Sequence, residues 1–176
     1  IVDSARELVG AKYAALAVGD WGMPGPGNVH RFVVSGLSRE QIRGIDHWPH
    51  GRGLLGAVIH GQKPIRLRHM QDDARSVGAP EGHPSMESFL GVPIIGAGET
   101  LGNLYLTDKA NGLEFTEADQ RLIEMLAAHA AVAIQNARLY SQVERLAVLE
   151  ERTRIGMDLH DGVIQSIYAV GLTLES

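Results

Sequence analysis

The stretch Ser88-Phe-Leu-Gly-Val-Pro-Ile-Ile-Gly-Ala-Gly-Glu-Thr-Leu-Gly-Asn-Leu-Tyr-Leu-Thr107 decides the fold. Ser88 to Ile95 and Leu101 to Thr107 alternate or run apolar around the turn Gly96-Ala-Gly-Glu. That pattern predicts a β-hairpin hydrophobic enough to lie in the middle of a sheet.

Upstream, Tyr13 to Val18 and Val29 to Ser35 read as two further strands, separated by a Gly/Pro-rich tip, and Pro64 to Leu67 as a short one. Val2 to Gly10 has the spacing of a short amphipathic helix. Ser38, with Gln41 at the capping-box position, opens another. Gly51 to Ile59 predicts a glycine-led helix, and Gln71 to Glu87 a long polar loop of the kind that is functional or disordered. After Phe115 the period changes. Thr116 and Asp119 form a capping pair, and apolar residues recur at Leu122, Met125, Leu126, His129, Val132, Ala133 and Leu139, predicting a helix whose buried stripe includes His129. No proline interrupts the chain from there to Ser176. The expected class is α+β: an antiparallel sheet flanked by helices, with a long helix leaving it.

Composition narrows the function. A net charge of −5 gives no electrostatic footprint for nucleic acid or anionic lipid. The absence of cysteine removes disulfides, thiolate zinc sites and Fe–S ligation, and suits a reducing cytoplasm, where the protein is expected. The longest apolar run, Met125 to Ala137, is too short to span a bilayer. The chain starts without Met and ends inside a helical pattern, so we expect an excerpt of a longer protein.

The chemistry is densest between Glu151 and Gln165. Ile155, Leu159, Val163, Ile167 and Val170 make one apolar stripe suited to a helical hairpin or dimer. His160 sits on its shoulder and Asp161 off it. An imidazole beside a carboxylate is a nucleophile with its own base, because the carboxylate holds one tautomer and raises the reactivity of the other nitrogen. Gln165 shares the face of Asp161 at i+4. A lone His-Asp pair on a helix is ordinarily just solvated. The whole string is more specific. Glu151, Arg152, Arg154, Ile155, Asp158, Leu159, His160, Asp161 and Gln165 match the E-R-x-R-I-x-x-D-L-H-D-x-x-x-Q phosphoacceptor box of the histidine-kinase subfamily typified by nitrate and oxygen sensors. That resemblance implies that His160 accepts the ATP γ-phosphoryl group, Asp161 is its base, and Gln165 orients the water for phosphatase activity. ATP would be bound by a domain not contained in this chain, so the fragment alone is expected to be inactive.

Residues 1–142 resemble a GAF domain, through Gly91-Val-Pro-Ile, the Gly98 to Lys109 stretch and Phe115-Thr-Glu-Ala-Asp. Residues 143–176 would then be a signalling helix and the first helix of a truncated dimerisation and phosphotransfer domain. The finer likeness, carried by His83-Pro-Ser-Met-Glu-Ser-Phe-Leu-Gly-Val-Pro and Leu104-Tyr-Leu-Thr-Asp-Lys, is to sensor kinases of the DevS/DosT type, whose first GAF domain holds haem b. It implies His83 as axial ligand to the haem iron, Tyr105 lining the distal pocket and His47 near the haem edge. Ser85 departs from the family's H-P-P-M motif. The implied partners are a diatomic gas (O2, NO or CO), a second copy of the chain and a NarL/LuxR-type response regulator, with no direct contact to nucleic acid. The competing expectation is a ligand-free GAF module that dimerises and only aligns the kinase helices. Against the haem assignment, His-Pro is also common turn chemistry and Tyr105 could be plain core.

Overall fold

The computed structural model describes the backbone of residues 1–20, 28–45, 53–78 and 83–174, and the side chains of these except at positions 20, 28, 30 and 158–174. The elements follow the order helix α1 (Val2–Leu8), strands β1 (Ala11–Asp20) and β2 (Asn28–Ser35), helices α2 (Arg39–Gly44) and α3 (Gly53–Gly61), strands β3 (Ile65–Leu67), β4 (Phe89–Gly96) and β5 (Glu99–Lys109), and helix α4 (Glu117–Leu174). The chain divides into two compact units, Ile1–Ile134 and Gln135–Ser176. The first contains the whole sheet, and the second is the remainder of α4.

All strand pairs are antiparallel, in the order β2-β1-β5-β4-β3. β5 is central because its run is buried on both sides, from Leu101 to Thr107. The β4–β5 turn needs positive φ at both middle positions, and Ala97 (φ 52°) and Gly98 (φ 81°) provide it. Such a turn matches the right-handed twist of the strands it joins. Gly102 is glycine for a different reason. A Cβ there would stand 2.3 Å from the carbonyl oxygen of Ala17 on β1.

Each face of the sheet has its own core. Leu16, Leu90, Val92, Ile94, Leu104 and Leu106 point to the side covered by α1 and the start of α4, where they meet Ala5, Phe115, Ile123, Ala127, Ala130 and Ala131. Each fully buried leucine or isoleucine there contributes roughly 2 kcal/mol. The opposite face packs Ala17, Phe89 and Tyr105 under Leu54, Val58 and Ile59 of α3. The hydroxyl of Ser35 donates to the Asp3 carboxylate at 2.5 Å and ties α1 to β2.

Both expected capping boxes are present. Ser38 Oγ accepts from the Gln41 amide at 3.2 Å while Gln41 Oε1 accepts from the Ser38 amide at 2.9 Å. Thr116 Oγ1 accepts from the Asp119 amide at 3.2 Å, and Asp119 Oδ2 accepts from the Thr116 amide at 2.6 Å. Asp119 is also the partner of the Lys109 ammonium at the end of β5.

The stripe expected on the last helix is out of phase with the buried one. Ile123, Ala127, Ala130 and Ala131 face the sheet, with Leu126 partly buried beside them, while Met125, His129, Val132, Ala133 and Leu139 are exposed. Alanines carry a weak hydrophobic signal, yet their short side chains let a helix lie close on a sheet of leucines, so the bulkier residues turn outward. His129 is thus a surface residue of the single chain. Met125, Val132, Leu139 and Leu146 recur every seven residues and are each more than half exposed. No described helix is long and apolar enough to cross a membrane.

Candidate functional site

The segment leading into β4 is fastened to the end of β5. The Glu87 amide donates to Asp108 Oδ1 at 2.7 Å, the Asp108 amide to the Ser88 carbonyl at 3.1 Å, and the Lys109 amide to Ser88 Oγ at 3.0 Å. The Thr107 hydroxyl donates to the Met86 sulfur at 3.1 Å. Thr107 and Tyr105 lie on the same face of β5 because strand residues two apart do. The loop carrying His83 therefore ends against the α3 side of the sheet, three residues after the imidazole.

His83 is half-buried, and its Nδ1 lies 2.9 Å from the carbonyl oxygen of Pro84. A carbonyl only accepts, so Nδ1 carries the proton and donates it. In that tautomer Nε2 is the ring nitrogen with a lone pair to offer. This is the arrangement in which a histidine binds a metal, one nitrogen fixed by a carbonyl and the other left to ligate.

Tyr105 is buried on the α3 face, and its ring lies 6.3 Å from that of Phe89 at 27°. Burial pushes its phenol well above the ordinary tyrosine value, so the group stays a neutral O–H donor. Directly across the sheet from it stand Ala15 on β1 and Gly91 on β4. A Cβ at Gly91 would come within 2.7 Å of both Phe89 and Val58, so α3 rests closely on the sheet here.

One residue of this face was not anticipated. Asn103, two positions before Tyr105, is wholly buried, and among the described residues neither its amide nitrogen nor its amide oxygen has a hydrogen-bond partner. The signal available in sequence was a lone amide inside the apolar run Leu101 to Leu106, easily passed over as part of a turn-rich hairpin.

His47 lies outside the described residues. His160, Asp161 and Gln165 fall within α4, whose backbone is helical through Leu174, and their side chains lie outside the described residues. Upstream in the same box, Arg154 donates to Glu151 at 2.7 Å, and that hydrogen bond holds the exposed Glu151 carboxyl below its ordinary value. A separate open groove of about 740 Å³, lined by Arg6, Lys12, Arg68 and Lys109 together with Glu87 and Asp108, includes neither His83 nor Tyr105. Its charges are mixed, and Glu87 pairs with His69 at 3.0 Å.

Comparison with known proteins agrees with this architecture. The family profile described as "GAF domain" matches residues 1–135. The sensor histidine kinase YhcY of Bacillus subtilis is 37% identical over 62 residues, covering 35% of this chain and 16% of the kinase, so the chain spans only a small part of that relative. Among solved structures, the GAF domain of a phosphoenolpyruvate-protein phosphotransferase (ptsP) from Coxiella burnetii superposes with a TM-score of 0.66 at 27% identity, over 80% of this chain and 82% of that one. The second GAF domain of DevS from Mycobacterium smegmatis shares the fold with a TM-score of 0.58 at 19% identity, over 81% of this chain and 93% of that one.

Proposed function

Because this chain belongs to the GAF-domain family, we propose that it is the sensory region of a cytoplasmic two-component histidine kinase, in which the GAF domain binds haem b and governs phosphorylation of His160. The observation that carries the ligand half of this reading is the tautomer of His83. Its Nδ1–H is engaged by Pro84, which leaves Nε2 free on a loop fastened to the α3 face. The residues present fit the group. An imidazole can hold haem iron, an apolar face can cover the ring, and a buried phenol can donate a hydrogen bond to an iron-bound gas. His83 would hold it, and Tyr105 would donate its O–H on the distal side. When bound, haem supplies an iron that takes O2, NO or CO. The Tyr105 hydroxyl favours a ligand that accepts a hydrogen bond, which ranks O2 above CO.

The output half rests on α4. His160 receives the phosphoryl group from ATP held by a domain of the full-length protein, with Asp161 taking the imidazole proton and Gln165 positioning water for hydrolysis of the phosphorylated response regulator. A response regulator is the acceptor. Coupling requires the liganded and free sensor to favour different states of the helix.

A second reading, a ligand-free module that dimerises and aligns two kinase helices, is favoured by the exposed seven-residue repeat Met125, Val132, Leu139 and Leu146. A dimer with a second copy is expected under both, so haem separates them. Hemin added to the purified chain under reductant should give a Soret band that His83→Ala abolishes. An intact dimer with no Soret band would select the second reading. Radiolabelled ATP supplied to the full-length protein should mark His160. Label retained in His160→Ala would overturn the kinase assignment.

A further inference from the structure

The open groove at the end of the sheet, where β1 begins and β5 stops, is floored by a polar row that strand register defines. Lys12 stands between Ala11 and Tyr13, whose partners on β5 are Lys109 and Thr107, so Asp108 is opposite it. Asp108 in turn stands opposite Ser88, to whose carbonyl its amide donates at 3.1 Å. Leu67 pairs with Phe89, which sets Arg68 opposite Ser88 one step past the end of β3. Lys12, Asp108, Ser88 and Arg68 form one row across the sheet, and all four line the groove. Arg6 reaches the same groove from α1.

Acids and bases of the groove are unequally served. Each lining carboxylate has a partner: Asp108 the Glu87 amide at 2.7 Å, Glu87 the His69 ring at 3.0 Å, and Glu7 the Arg6 guanidinium at 3.8 Å. Lys109 spends its charge on Asp119, which lies outside the lining. The other cations are poorly met among the described residues. Arg68 makes no side-chain hydrogen bond or ion pair. Lys12 has only the ring of Tyr13, 5.0 Å from its ammonium. Arg6 has the long contact to Glu7 and a buried Nε without a partner. The groove is short of anionic acceptors, and three cations wait for them. A carboxylate brings one charge and two oxygens. A phosphate monoester brings close to two charges and three strong acceptor oxygens, and guanidinium forks match its geometry. The buried Ser88 hydroxyl accepts from the Lys109 amide and keeps a proton to donate. At about 740 Å³ the groove has the size of a small-molecule site and exceeds a bare phosphate, and Ala11, Ala110 and Leu113 give it apolar surface for a neutral body. We infer that this groove binds a small phosphorylated metabolite by its phosphate group, through Arg6, Lys12 and Arg68. The site shares no residue with the haem reading and stands or falls without it.

Calorimetric titration of the 176-residue chain tests it with glycerol 3-phosphate, glucose 6-phosphate and adenosine 5′-monophosphate, each beside its unphosphorylated parent, and with succinate. At least one ester should bind the wild type, and its parent at least tenfold more weakly. Lys12→Gln and Arg68→Gln alter exposed side chains, so both should melt with the wild type while each weakens the ester at least tenfold. Lys63→Gln, which removes an exposed cation outside the groove, should change nothing. Four results overturn the inference: no ester bound by the wild type, succinate bound as tightly as the best ester, undiminished binding by both groove variants, or a loss in Lys63→Gln equal to that in Arg68→Gln.

Discussion

The two faces of the sheet are made from the same five strands and to different ends. Toward α1 and α4 the middle strands present mostly aliphatic side chains, and alanine and isoleucine of the covering helices, with Phe115, answer them. Toward α3 the same strands present Tyr105, Thr107 and Asn103, with glycine and alanine between them. The first face is a packed core whose polar groups at the rim, Ser35 and Arg66, are met by Asp3 and by the Phe115 carbonyl. The second carries the Asn103 amide, buried and without a hydrogen-bond partner among the described residues. Adjacent residues of one strand, Leu104 and Asn103, thus do opposite things for stability.

The contrast can be broken in order of expected effect. Leu104→Ala removes a fully buried side chain from the closed face and should cost about 3 kcal/mol in urea denaturation, because the surrounding core relaxes only partly. Gly91→Ala pushes a methyl into Phe89 and Val58 on the α3 face and should cost about 2 kcal/mol by the same measurement. Asp119→Ala removes the reciprocal cap of α4 and the Lys109 pair, and should cost about 1 kcal/mol. Asn103→Leu should act in the other direction, raising stability by about 1 kcal/mol as an unsatisfied amide is replaced.

Asp119 also sharpens the picture through pH. Burial pushes its carboxyl up, but hydrogen bonds from Lys109 and Thr116 outweigh that and hold it below the ordinary 3.8. A carboxyl held low in the folded state stabilises the protein above its unfolded pKa, and the gain is lost as pH falls through the folded value. Wild type should therefore lose more stability than Asp119→Ala on acidification below about pH 4, which parallel urea titrations would reveal. Equal acid-side slopes would mean that the pair contributes nothing to folding.

Much of the fold was legible because it is written in local signals. The β4–β5 hairpin, with its Gly96-Ala-Gly-Glu turn, appears where alternation and turn chemistry place it, and Ser38/Gln41 and Thr116/Asp119 cap the helices they were expected to cap. The face of α4 was not legible. A hydrophobicity pattern ranks Met and Val above Ala, whereas close helix-on-sheet packing prefers Ala, so the sheet takes the alanine face and the stripe that carries His129, expected to be packed or dimer-facing, is exposed in the single chain. At the site, His83 and Tyr105 stood out as motif residues, and the structure adds the Pro84 carbonyl that selects the tautomer of His83. Asn103 was invisible for a physical reason: whether an amide is satisfied depends on the strands beside it, which no local window contains.

Lys109 is the last residue of β5, four positions beyond Tyr105, and its ammonium grips the carboxylate that caps the first turn of α4. The guanidinium of Arg66 on β3 reaches the same junction through the Phe115 carbonyl, at 3.0 Å. The central strand of the sheet is thus latched to the root of α4. Any slide or twist of β5 would therefore meet α4 at its first turn, where a carboxylate and a carbonyl already answer to strand side chains.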